Sequence, residues 1–455
     1  MMKKTVSARD IALDVLLQVE QHQAYSNLAL NQALHQSGLE DRDKRLATEL
    51  IYGTIGRLNT LDWIGNRLVK KGLRSLEPWV RQLVRMSLYQ LRYLDKIPER
   101  AAVHEAVQIA KRRGHQGISS LVNGVLRSYL RRRGEFQLSA QPASLKEKAL
   151  LLSHPEWMVK RMEQAYGPEE TERALQSNHL PPKVSVRVNT LKLDRAAFTE
   201  QWNQTGLGEA IVSPLAPDGV IIERGGNPAY TSFFREGLCT IQDESSMLVS
   251  RILNPQPGMR VLDVCAAPGG KTTHLAELMQ NRGSIVACDI HEHKLELIRA
   301  NAERLGITII AERQADGRQV GAYWPADSFD AILLDAPCSG LGVIRRKPDI
   351  KWSKEARAID SLVQLQRELL EEVAPLLKPG GVLVYSTCTW EPRENKEQVL
   401  AFTERHPEFE LDPEMGKSLT PEVKERAIVE EGWLQLLPHH FGSDGFFMSR
   451  LKKKG

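Results

Sequence analysis

Two apolar runs in the C-terminal half of the chain stop at a cysteine. Phe329-Asp-Ala-Ile-Leu-Leu-Asp335-Ala-Pro-Cys338 and Val382-Leu-Val-Tyr-Ser-Thr-Cys388 each read as a buried strand with a thiol at or just beyond its end. Open α/β sheets bind ligands outside the carboxyl ends of their strands, so both thiols are expected to face one crevice. A lone buried cysteine is usually inert packing, but two at equivalent positions on successive strands, one beside Asp335, point to chemistry. Carbon 5 of cytosine is too weak a nucleophile to attack a methylsulfonium. A thiolate added to carbon 6 makes carbon 5 enamine-like, so that it accepts the methyl, and loss of the carbon-5 proton then expels the thiol. Glu391-Pro392-Arg393, read as the start of a helix just after Cys388, offers a dipole favouring the thiolate. Asp335 is placed to hydrogen-bond the N3/N4 edge of the pyrimidine. The residues alone do not rank the two thiols.

The methyl donor has its own signature. Val261 to Val264 reads as a short buried strand, Pro268-Gly269-Gly270 forces a turn, and Lys271 to Met279 resumes at helical spacing. Glycines there admit close approach to the backbone, and a helix N-terminus favours negative charge. Position 265 is Cys where a phosphate-binding loop needs Gly, and the dinucleotide fingerprint is absent. Ser284 to Asp289 is a second strand whose terminal carboxylate suits a pair of ribose hydroxyls. A ribose site without a phosphate cradle points to S-adenosylmethionine. Asp316, in Ala315-Asp316-Gly317 after a third strand, is placed to meet the adenine or methionine end of that cofactor. An amino-methylating enzyme would carry Asn/Asp-Pro-Pro-aromatic where this chain has Asp335-Ala-Pro-Cys338, which disfavours that class.

These residues need elements to hold them. Strands at Val261–Val264, Ser284–Asp289, Thr308–Glu312, Phe329–Asp335 and Val382–Thr387 alternate with helical patterns, the mark of a doubly wound parallel sheet; a last strand spans Gly445–Arg450. The predicted organisation is an α/β, Rossmann-like methyltransferase domain over 236–455, a small α+β linking domain over 145–235, and an all-helical domain over 1–140. In the last, Ser7-Ala-Arg-Asp10 is a capping box, and helices are predicted over Asp41–Arg57, Leu61–Lys70, Glu77–Leu94, Ala101–Arg113 and Gly117–Arg133. Residues 1–134 hold 23 Lys and Arg against 12 Asp and Glu, a charge of +11, while the whole chain carries +4, leaving −7 for the rest. A basic module on a mildly acidic one suggests a grip on a polyanion. Lys111-Arg112-Arg113 and Arg131-Arg132-Arg133 either complement helix C-termini or form a phosphate-contacting ridge. The absence of an 18-residue apolar run and of an apolar N-terminal stretch predicts a cytoplasmic protein without a membrane partner. Five cysteines without CxxC spacing are expected as free thiols, and His291, His293, His439 and His440, lacking metal-ligand spacing, at the surface, with no metal.

The set Cys265-Ala-Ala-Pro-Gly-Gly-Lys271, Asp335-Ala-Pro-Cys338 and Thr387-Cys388 resembles the RNA 5-methylcytosine methyltransferase family, as do Asp243-Glu-Ser-Ser and Asp444-Gly-Phe-Phe. The helical region is similar to antitermination-factor-like RNA-binding domains. The resemblance covers essentially the whole chain. It implies that Cys265, Ala266, Ala267, Pro268, Gly269, Gly270, Lys271, Asp289, Asp316 and Asp335 bind S-adenosylmethionine, that Cys388 is the nucleophile, and that Cys338 assists product release. It further implies a cytosine of small-subunit (16S) ribosomal RNA as substrate, met by a monomer without an obligate protein partner. Two alternatives stand beside it: Cys338 as the nucleophile, and a non-catalytic RNA-binding assembly factor.

Overall fold

The computed structural model describes residues 7–22 and 25–455; the first six residues of the expected 1–140 domain lie outside it. Two compact units make up the chain, residues 1–180 with 344–355, and residues 181–343 with 356–455.

The first unit is helical: Ala8–His22, Ser26–Ser37, Asp41–Gly56, Leu58–Leu68, Pro78–Tyr93, Glu99–Arg113 and Gln116–Arg131 enclose a core that includes Leu13, Leu50, Ile51, Leu83 and Leu126. The capping box is realised: Ser7 Oγ donates to Asp10 at 2.6 Å and accepts the Asp10 N–H at 3.2 Å. The basic triplets serve the fold more than the sequence suggested. Arg112 reaches Asp10 at 2.9 Å, Arg113 reaches Asp14, Arg132 reaches Glu135 at 2.7 Å and Arg133 reaches Glu99 at 2.9 Å. Helices Leu145–Leu152 and Glu156–Ser177, assigned from sequence to the linking domain, cluster with this unit. Asn59 and Thr60 tie down the end of the first of them, donating to the Ala149, His154 and Leu150 carbonyls at 2.7–3.0 Å. The segment Ile344–Glu355 belongs here too, although it reads as a charged loop. Lys351 is 1% exposed, its amine donating to the carbonyls of Gly56 at 2.6 Å and Ser153 at 2.8 Å. Burial pushes its pKa well down, a state in which two donated bonds satisfy a neutral amine.

The second unit contains two sheets. Strands β1 (Val184–Val188), β2 (Glu209–Val212), β3 (Gly219–Glu223) and β4 (Cys239–Ile241) form an antiparallel sheet in the order β2-β3-β1-β4. One of its faces packs Val186, Val188, Val220 and Cys239 against Phe198, Trp202 and Phe233. The larger sheet holds β5 (Arg260–Asp263), β6 (Ser284–Asp289), β7 (Ile310–Gln314), β8 (Phe329–Asp335), β9 (Leu377–Thr387), β10 (Phe409–Leu411), β11 (Ile428–Glu430), β12 (Trp433–Leu436) and β13 (Phe446–Lys453). Its order is β11-β12-β13-β9-β8-β5-β6-β7, with β10 on β13; β5 to β9 run parallel and the C-terminal strands antiparallel. Strand order reverses at β5, so the crevice beyond its carboxyl end, between β6 and β8, is the switch point where α/β sheets bind ligands. Arg187, fully buried on β1, holds the two layers together: its guanidinium donates to Glu277 at 2.8 and 3.0 Å, Thr273 Oγ1 at 3.0 Å, the Gly270 carbonyl at 2.6 Å, and Gln242. The α/β fold with an all-helical N-terminal region and a small α+β insert is as expected. No described helix is long and apolar enough to cross a membrane.

Candidate active site

The glycine turn sits where β5 ends. After Asp263 the chain passes a cis Ala267–Pro268 bond to Gly269, whose φ of 96° is left-handed and whose missing side chain leaves room for Ile298. The helix Gly270–Leu278 starts there, gripped from below by Arg187. A cavity of about 380 Å³ opens beside the turn, lined among others by Cys265, Asp289, Ile290, Asp316, Pro337 and Leu365. Asp289 closes β6 and accepts the His291 N–H at 2.9 Å; Asp316 is held by Arg318 at 2.6 Å, which keeps its carboxyl below the usual range. Two carboxylates among apolar walls suit a nucleoside: one for ribose hydroxyls, one for the polar edge of what lies beyond. At Gly317 a Cβ would lie 2.6 Å from Leu369 Cδ2 and 3.0 Å from Val264 Cγ1, so a side chain there would make those two shift. His291, expected at the surface and exposed, also lines this cavity, as do Lys294 and Arg318, which sequence reasoning did not single out; all three lie within a few residues of Asp289 and Asp316, the one local signal available.

Lys271 turns elsewhere. Its ammonium donates to Asp335 Oδ2 at 2.7 Å and lies 5.1 Å from the centre of the Phe446 ring, while Ser386 Oγ donates to Asp335 Oδ1 at 2.7 Å. Burial opposes the charge on Lys271, but Asp335, helped by Cys388, more than offsets it and raises the pKa. Parallel pairing of β8 with β9 sets Asp335 opposite Ser386 and brings the loops after both strands together. Cys338 Sγ and Cys388 Sγ stand 3.4 Å apart, both half-buried. The hydrogen bond to Cys388 and then burial hold the Cys338 thiol well above its ordinary pKa. The Cys388 carbonyl accepts the Gly342 N–H at 3.0 Å, and a Cβ at Gly342 would run into the Gly445 carbonyl. Asp243 and Asp444, from two motifs far apart in sequence, meet through the Asp444 N–H at 3.2 Å. The helix expected to begin at Glu391 is instead a 3-10 turn, Pro392–Glu394, and the next α-helix starts at Lys396. A three-residue turn has little dipole, so the cation beside Cys388 is the Lys271 ammonium. His440, expected at the surface, is buried; its Nδ1 accepts the Leu437 N–H at 3.2 Å.

Asp263 gives the turn a pH dependence. It is fully buried, accepts from Thr272 Oγ1 at 2.7 Å, and desolvation raises its pKa to about 7. An unfolded Asp titrates near 3.9, so the folded state holds an extra proton between about pH 4 and 7. That contribution to stability is complete below the unfolded pKa and is lost as pH rises through the folded one, at up to about 1.4 kcal/mol per unit. In Asp263→Asn the slope of unfolding free energy between pH 5 and 7 should flatten; a denaturant series matching the parent's slope would refute the assignment.

A doubly wound sheet with a glycine turn on its switch strand and a carboxylate closing the next one defines an S-adenosylmethionine-dependent methyltransferase domain of Rossmann-like fold. Residues 250–452 match the 16S rRNA methyltransferase RsmB/F family, residues 6–131 the NusB family, and residues 154–228 the RsmF/B-like ferredoxin-like domain. The chain is 49% identical over 454 residues, spanning all of both proteins, to the probable ribosomal RNA small subunit methyltransferase B of Bacillus subtilis (strain 168). It is 37% identical, again over the full length of both, to ribosomal RNA small subunit methyltransferase B of Klebsiella pneumoniae subsp. pneumoniae. Among solved structures it superposes on PH0851 with a TM-score of 0.81 and 29% identity, covering 99% of this chain and 100% of that one. It also superposes on a methyltransferase homolog protein from Pyrococcus horikoshii with a TM-score of 0.58 and 33% identity, covering 69% of this chain and 100% of that one. The chain belongs to the RsmB/F family of 16S ribosomal RNA methyltransferases.

Proposed function

We propose that this protein methylates carbon 5 of a cytosine in 16S ribosomal RNA through a covalent adduct to Cys388. The observation that carries this reading is the pair of sulfurs 3.4 Å apart in unequal settings. In this reading Cys338 is the thiol that donates to Cys388, burial and that bond raise the Cys338 pKa, and the Lys271 ammonium acts on Cys388 as a charged neighbour.

S-adenosylmethionine, when bound, supplies an electrophilic methyl group. Asp289 would hold its ribose, Asp316 its adenine or methionine end, and the 265–270 backbone would close over it. Cys388, as thiolate, forms a bond to carbon 6, and the carbon 5–carbon 6 π pair shifts onto carbon 5 and the conjugated carbon 4–nitrogen 3 system. Asp335, fixed by Lys271 and Ser386, keeps a lone pair on each oxygen for the pyrimidine edge. Carbon 5 takes the methyl. Bond formation at Cys388 removes the acceptor that kept Cys338 protonated, so Cys338 yields its proton to solvent and takes the one on carbon 5. The double bond re-forms, the carbon 6–sulfur bond breaks, and its electron pair returns to Cys388. One proton is released overall, as methylation by a sulfonium requires. The target base must leave its stack to reach such a crevice.

The test is incubation with small-subunit rRNA and radiolabelled cofactor, followed by bisulfite mapping. Label at carbon 5 of one cytosine is expected; label on an exocyclic amine would overturn the reading. The basic helical unit predicts salt-sensitive RNA binding. With most triplet arginines occupied by internal partners, three phosphate contacts would raise Kd on the order of tenfold between 50 and 200 mM salt. A salt-independent Kd would remove that unit from RNA binding.

A further inference from the structure

Both peptide groups flanking Cys338 are held by side chains that the reaction does not use. The Pro337 carbonyl accepts from Gln366 Nε2 at 2.9 Å, and the Ser339 N–H donates to Glu394 Oε2 at 2.8 Å. Gln366 Nε2 also donates to Glu394 Oε2 at 3.0 Å, joining the two holds into one clamp. Tyr385 OH donates to the Glu394 carbonyl at 2.6 Å, fixing the clamp to β9. Ser339 Oγ lies 2.9 Å from Thr389 Oγ1, so the residue after one thiol touches the residue after the other. On the Cys388 side, Thr387 Oγ1 donates to Asn395 Oδ1, and Asn395 Nδ2 donates to the Thr389 carbonyl at 3.0 Å. Glu394 and Gln366 are fully buried. A buried carboxylate and a buried amide that both bond the peptide groups on either side of one thiol fix where that thiol stands.

We propose that Glu394 and Gln366 are positioning residues that set the distance between the two active-site sulfurs, and thereby the release of the methylated product. The proposal rests on the reading of Cys388 as nucleophile and Cys338 as the releasing group. The titratable groups acting on Cys338 are Cys388 and Glu394, and its own charge acts on the buried Tyr385 phenol; removing the Glu394 carboxylate therefore alters both the hold on the 338–339 peptide and the field at Cys338.

Two readouts test it in the full-length protein. In single turnover with rRNA, Glu394→Ala should form the protein–RNA adduct within about twofold of the parent rate and bind cofactor equally well, yet release product at least tenfold more slowly. Glu394→Gln, which keeps an acceptor for the Ser339 N–H, should recover most of that loss, which general loosening would not produce. The second readout needs no RNA. Diamide takes two electrons and two protons from the Cys338–Cys388 pair, giving a disulfide and the hydrazine. That cross-link, read by mass spectrometry, should slow at least tenfold in Glu394→Ala and in Gln366→Leu, with unfolding midpoints confirming folded protein. Parent-like cross-linking and release in the folded variants would overturn the clamp. Slower cross-linking in a protein that never forms an RNA adduct would uphold the clamp and overturn the nucleophile assignment instead.

Discussion

Cys388→Ala should abolish methyl transfer and form no adduct with rRNA, whereas Cys338→Ala should remain covalently joined to it. The asymmetry follows from where the charge sits. Addition to carbon 6 requires a thiolate, and alanine at 388 removes the sulfur assigned to that bond; a loss of at least about 10⁴ in kcat is expected, in the range found when a nucleophile is deleted. Cys338 is needed one step later. Without it the carbon-5 proton loses the base assigned to it, and proton transfer by a positioned side chain is worth on the order of 10² to 10⁴ in rate. The adduct then accumulates because its formation is intact and its decay is not. A gel-shifted, nuclease-resistant species in the second variant and none in the first is the expected pattern. The reverse pattern would transfer the nucleophile to Cys338, and the hydrogen bond between the sulfurs would then have to run the other way.

What sequence reveals here is what is local. The 264–271 turn is legible because strand, glycine and helix follow one another, and the two thiols because each ends its own apolar run. Asp289 and Asp316 are legible as strand-end and turn residues and do line one cavity. Where partners are remote, the reading fails. The bond from Lys271, in the cofactor motif, to Asp335, 64 residues on, and the parallel register that brings Ser386 to the same carboxylate have no trace in the order of residues. Helix Ser26–Ser37 escaped because no side chain caps it and its apolar face is narrow. Strands β10, β11 and β12 are three or four residues long, below the length at which alternation is visible, and exist through pairing: β10 and β12 with β13, and β11 with β12. Ile344–Glu355 carries lysines and arginines that read as solvent-facing, but the carbonyls of Gly56 and Ser153 await Lys351 in the helical unit.

Arg187 is the extreme case of a remote partner, and its removal should have the largest effect on stability. On β1 it falls in an alternating strand pattern, where an arginine between valines predicts a solvent-facing position. Instead it and Glu277 are both essentially excluded from water, with side-chain exposures of 0% and 1%. Desolvating such a pair offsets much of its attraction, so its net worth against a well-packed apolar pair is small. Breaking it is another matter. In Arg187→Met, Glu277 loses both guanidinium bonds, the Gly270 carbonyl loses the shorter of its two side-chain donors and keeps Thr273 Oγ1 at 3.2 Å, and Thr273 and Gln242 lose a partner. An uncompensated buried charge of this kind costs about 3–5 kcal/mol, a large part of the 5–15 kcal/mol typical of a whole domain. Because the Gly270 carbonyl belongs to the turn beside the cavity, cofactor affinity should fall along with the denaturation midpoint. Adding Glu277→Leu to Arg187→Met removes the stranded carboxylate and should restore stability by more than half, but not cofactor affinity, since the turn still lacks the guanidinium that braces it from β1. Urea unfolding of the single and double variants, with cofactor titration of each, separates the two roles. A single variant as stable as the parent, or a double variant no better than the single, would mean that the carboxylate is neutralised in some other way and that β1 does not brace the cofactor turn.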